Sequence, residues 1–112
     1  MWGDNMSVMV FGSNAQYQQI CHLAPKMQVV HGLSGYQEPR LVVVFGGQMS
    51  DRDILKDVVG RWPEAPIVMI SERVDQEHFM MALKWGVKEY VGELDQQQWD
   101  ALVINLQVLG RS

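Results

Sequence analysis

The side chains able to do chemistry in this chain are few and scattered. Ser13 and Ser71 carry hydroxyl nucleophiles in principle, but Ser13 lacks the strained G-x-S-x-G elbow that makes a serine reactive. Cys21 is a lone thiol beside Ile20 and near Leu23, with only His22 as a basic neighbour, so it reads as a buried structural residue. His22, His31 and His78 fall on separate elements without the spacing of metal ligands. Gly46-Gly47 ends an apolar run, yet no P-loop or G-x-G-x-x-G pattern follows to cradle a phosphate. No cofactor and no metal site is expected, and nothing in the residue pattern supports an enzyme.

The strands that would position these residues are legible. Leu41, Val42, Val43 and Val44, bounded by Pro39 and by Gly46-Gly47, are too apolar to have one face in water. Such a run predicts the buried middle strand of a parallel sheet. Runs 8–11 and 67–70 have the same character, and shorter strands are expected at 26–31 and 89–91. A helix is predicted over 15–24, capped by Ser13 or Asn14 and stopped by Pro25, with Tyr17 or Ile20, Leu23 and Ala24 inward. A second, over 51–61, opens on the box-like Ser50-Asp51-Arg52-Asp53 and buries Ile54, Leu55, Val58, Val59 and Trp62. A third is capped by Asp75 and ended by Gly86, with Phe79, Ala82 and Leu83 inward. The last, over 96–109, is capped by Asp95 and buries Trp99, Leu102, Val103 and Leu106.

One connection departs from the pattern. Residues 32–39 are only eight, with two glycines and a proline, whereas a parallel crossover carrying a helix needs about a dozen. That crossover is truncated. Elsewhere strand and helix alternate, which predicts a single doubly wound α/β domain over residues 1–112, with residues 1–6 frayed or disordered. In such a sheet, chemistry sits beyond the carboxyl ends of the strands. Those ends carry Gly12, Ser13, Phe45, Gly46 and Ser71, and none of them is a carboxylate.

The totals narrow the field further. The net charge is −4 and the nine basic residues are dispersed, which argues against a nucleic-acid partner. A single cysteine excludes an internal disulfide and fits a reducing compartment. No secretory leader is visible, and no apolar run approaches the roughly 18–20 residues of a membrane span. The expectation is a cytoplasmic domain with no membrane partner.

Three segments together resemble the receiver domain of two-component response regulators, across residues 7–109. PRLVVVF at 39–45 is similar to that family's PDLVLLD third strand, and PIVMISER at 66–73 to its PIIMLTAR fourth strand. ALKWGVKEYVGEL at 82–94 is similar to its AL..GADDYLTKP segment. The resemblance implies a flavodoxin-like, CheY-like five-stranded parallel sheet in the order 2-1-3-4-5, with the second crossover helix shortened.

It also implies what has been lost. The phosphoacceptor aspartate falls on Phe45, and the Mg²⁺-binding acidic pair on Gly12 and Ser13 or its neighbour Asn14. The strand-five lysine falls on Glu93, with Leu94 in the cis-proline place. Only the switch pair is retained, as Ser71 and Tyr90. Mg²⁺ takes hard oxygen ligands, usually carboxylates, and phosphoryl transfer needs that cation and an in-line attacking oxygen. Phenylalanine supplies neither. Phosphorylation is therefore not expected. Phe45 is expected to fill the vacated acidic pocket, where no polar cluster suggests a ligand. Ser71 is expected to bond to backbone and Tyr90 to pack on the fifth strand.

What then remains is surface. His78, Met81 and Trp85 stand at i, i+3 and i+7 on the outer side of the third helix, and Ala101, Ile104 and Val108 repeat that spacing on the last. In receivers these helices and the fifth strand form the dimerisation and partner face, so the resemblance implies self-association or docking to a downstream output or ATPase domain. GVKEYV at 86–91 is similar to GVSEYL in the atypical receivers of TadZ/CpaE-type pilus-assembly proteins, which join such a domain to a ParA/MinD-like ATPase. The alternative is the degenerate receiver of a transcription regulator whose DNA-binding output lies outside this chain.

Overall fold

Continuous runs of buried apolar residues decide the architecture. The computed structural model describes residues 7–32, 38–46, 51–72 and 75–109, with side chains as far as residue 105. Strands β1 (Ser7–Phe11), β2 (Gln28–His31), β3 (Leu41–Phe45), β4 (Ile67–Ile70) and β5 (Glu89–Val91) pair in parallel in the order β2-β1-β3-β4-β5. Helices α1 (Asn14–Leu23), α2 (Asp51–Arg61), α3 (Gln76–Lys84) and α4 (Gln96–Leu109) cover it. No described helix is long and apolar enough to cross a membrane.

Successive strand residues point to opposite faces, so the continuous apolar runs feed two cores. Val8, Val10, Leu41, Val43, Val68 and Ile70 pack with Ile20 of α1 and with Trp99, Leu102 and Val103 of α4. Met9, Val42, Val44, Ile67 and Met69 pack with Leu55 and Val58 of α2 and with Ala82 of α3. Each large side chain buried this way contributes about 1.5–3 kcal/mol. The middle strand has no solvent face, as its composition predicts.

Between β2 and β3 the described residues on either side, 32 and 38–40, are not helical. Gly32 turns there with φ +78°, and the ladder is extended by Gly32 N–H donating to the Val10 carbonyl and Arg40 N–H to that of Ser7. The truncated crossover otherwise lies outside the described residues, as does the box expected at Ser50.

Helix α3 departs from its expected seating. Leu83 is 43% exposed, whereas His78 and Trp85 are half-buried. The helix rests on Ala82, with His78 four residues before it and Trp85 three after. Apolar spacing alone favours Phe79, Ala82 and Leu83. In the observed seat His78 has polar partners on two other elements, which hydropathy does not register.

Candidate functional site

At the carboxyl end of β1 the chain turns sharply into α1 through a reciprocal cap. The Gln16 backbone N–H donates to Ser13 Oγ (3.2 Å) while Gln16 Oε1 accepts from the Ser13 backbone N–H (2.8 Å). Ser13, not Asn14, is the cap. Phe45, at the end of β3, is half-buried and packs on the α1/α4 core, its ring against Gly12. A Cβ at Gly12 would stand 3.0 Å from Phe45 Cδ2 and 2.6 Å from Gln16 Oε1, so a side chain there would have to displace the benzyl ring and the cap. The Gly12 carbonyl lies 2.8 Å from His31 Nε2. A carbonyl only accepts, so that nitrogen carries the proton. The His31 ring stacks on Tyr17 at 4.8 Å and 7°. The Tyr17 hydroxyl donates to the Val29 carbonyl at 3.3 Å, and the Cys21 thiol one turn on holds it above the ordinary phenol range. Where the resemblance expects paired carboxylates, this end of the sheet offers a glycine backed by rings and amides.

Beside Phe45 an open pocket of about 680 Å³ spans the ends of β3, β4 and β5. Its lining includes Ser71, Glu72, Glu93, Asp95 and Gln98, so it is polar, contrary to the sequence expectation. The loops after β4 and β5 bring these residues together only in the folded chain. Ser71 is buried and its backbone N–H donates to the Val91 carbonyl at 2.9 Å. Asp95 Oδ1 accepts from the Gln98 backbone N–H at 2.8 Å and so caps α4. Glu93 is exposed, and Leu94 beside it is buried. Among the described residues no three His, Cys, Asp or Glu side chains are grouped to hold a metal ion.

On the opposite face a carboxylate does reach the sheet end. Asp51, the first residue of α2, is 3% exposed and lies over Gly46, where a Cβ would come within 2.6 Å of its Oδ2. His78 Nε2 is 3.1 Å from that oxygen, and His78 Nδ1 is 2.9 Å from the Tyr90 hydroxyl. A carboxylate can only accept, so Nε2–H donates to it; in the neutral ring Nδ1 then accepts from the Tyr90 O–H. Tyr90 also meets Phe79 edge-on at 5.2 Å, and His78 meets Trp85 at 6.2 Å. The sequence places these three polar residues on three separate elements. The acidic first turn of α2 and the resemblance that singles out Tyr90 are hints of them, but neither joins the three. None of the three lines the pocket.

Of the residues expected at an interface, Met81, Ala101 and Ile104 are exposed, while the Val108 side chain lies outside the described residues. His78 and Trp85 are withdrawn from the outer stripe by the inward rotation of α3. Met80 and Leu83 take their place, 54% and 43% exposed.

Neither a protein-family model nor a curated protein sequence matches the chain. Solved structures do. A response regulator receiver domain protein from Clostridium thermocellum is 16% identical with a TM-score of 0.79, covering 95% of this chain and 97% of that one. A response regulator from Thermotoga maritima is 15% identical with a TM-score of 0.77, covering 91% and 97%. A pilus assembly-related protein from Burkholderia pseudomallei K96243 is 8% identical with a TM-score of 0.75, covering 95% and 92%. At these identities the likeness establishes the fold alone. It is the flavodoxin-like receiver fold, with its strand order as expected.

Proposed function

We propose that this chain is a non-phosphorylatable pseudo-receiver that acts through protein contacts, by self-association or by docking to an output or ATPase domain. One observation carries the reading: Phe45 stands at the end of β3, packed on Gly12, where phosphoryl chemistry on this fold needs an aspartate facing carboxylates. Glu93, at the pocket where a cation would pair with the phosphoryl group, has the wrong sign. The contact face is the β5 edge of the sheet with α3 and α4 flanking it on either side, where the large exposed apolar side chains among the described residues are Met80, Met81, Leu83 and Ile104. Apolar rows of this kind are what interface cores contain.

The context we favour is Tad/Flp pilus assembly or its polar localisation. Its support is the GVKEYV segment together with the fold shared with the Burkholderia pilus assembly-related protein.

Sedimentation of the wild type against Met81→Glu and Ile104→Lys tests the self-association form. The wild type is expected to sediment above monomer mass at high concentration and both variants as monomers, with stability changed by less than about 0.5 kcal/mol. A wild type monomeric at every concentration removes self-association.

A further inference from the structure

We propose that Asp51, His78 and Tyr90 form a polar clasp that sets the position of α3, and with it the exposed row Met80, Met81 and Leu83, against α2 and β5. The inference rests on how little else anchors the helix. Among its side chains only Ala82, a single methyl group, is fully buried, whereas α2 sinks Leu55 and Val58 and α4 sinks Trp99, Leu102 and Val103. Phe79 and Trp85 remain partly exposed, and both rings rest edge-on against members of the clasp.

The clasp has a fixed anchor and a single bridging group. Asp51 is held as the first residue of α2, over Gly46 and close to Met69, in space that a side chain at position 46 would fill. Tyr90 is held by the β4–β5 ladder through its pairing with Met69. His78 is the only member carried by α3, and its two ring nitrogens face one partner each. With its side chain 12% exposed and that of Asp51 4%, these bonds are made largely out of water, where losing one partner costs most. A rotation of α3 that turned Leu83 inward would pull His78 away from both partners. The clasp thus selects the outward face of α3 over the one that hydropathy favours. This holds whether or not that face meets a partner.

Amide hydrogen exchange on the full chain tests it with two variants, His78→Leu and the milder Tyr90→Phe, which removes only a hydroxyl. In His78→Leu the α3 amides should exchange roughly tenfold or more faster, while those of α1 and α4 keep their protection. Tyr90→Phe should give a smaller acceleration, confined to α3. The double variant should exchange no faster in α3 than His78→Leu alone, because the two groups act as one unit. If His78→Leu does not fold, Tyr90→Phe decides. Unchanged α3 exchange in Tyr90→Phe, or acceleration spread evenly over all four helices, overturns the proposal.

Discussion

The two faces of the sheet treat polar groups at its carboxyl end in opposite ways. On the α1/α4 side, the end of β3 carries a benzyl ring pressed onto Gly12, and the polar groups stand around an open pocket in contact with solvent. On the α2/α3 side, a carboxylate, an imidazole and a phenol are drawn inward and bonded to one another. Phe45 and Gly46 are neighbours in the chain, yet they border these two regimes. The contrast separates two uses of polar residues. Side chains around a solvated mouth can change while the core beneath it stays intact, because exposed side chains contribute little to stability. A buried relay cannot be thinned in the same way, since each member satisfies the next.

The sharpest break in that contrast is His78→Ala. It strips the imidazole from a buried carboxylate, and urea unfolding should show a loss of about 3 kcal/mol, within the range for breaking one side of a buried pair. A loss near that of an exposed site would place His78 in the same class as the pocket rim. Gly12→Ala comes next, with an expected cost of about 1–2 kcal/mol from crowding Phe45 and the Gln16 cap. Adding Phe45→Leu to Gly12→Ala should recover part of that loss, and no recovery would mean that the ring is not what requires the glycine. Ser13→Ala removes one arm of the α1 cap and should cost about 1 kcal/mol in the same assay.

The sequence made the sheet legible because its signal is local. Runs such as 41–44 and 67–70 need no partner to declare themselves buried, and Ser13, Asp75 and Asp95 announce their helices through short-range hydrogen bonds. The inward residues of α2, and Trp99, Leu102 and Val103 of α4, were readable for the same reason, since apolar spacing there agrees with the seat; the Leu106 side chain lies outside the described residues. In α3 it does not. His78 counts as polar in any periodicity argument, and its partners Asp51 and Tyr90 lie 27 and 12 residues away. The polar lining of the pocket was hidden in the same way, because Glu72, Glu93 and Asp95 meet through two different loops. Phe45 itself was visible, since a residue type at a strand end can be read without knowing its neighbours.

The most direct measurement is an amide NMR titration of the wild type with Mg²⁺ and beryllofluoride, a mimic of the phosphoryl group. With no acceptor oxygen at position 45 and no paired carboxylates at 12 and 13, the amide signals of Phe45, Ser71 and Glu93 should stay where they are, and acetyl phosphate should add no mass. Saturable shifts confined to those amides, or one added phosphoryl group, would contradict the proposed loss of receiver chemistry.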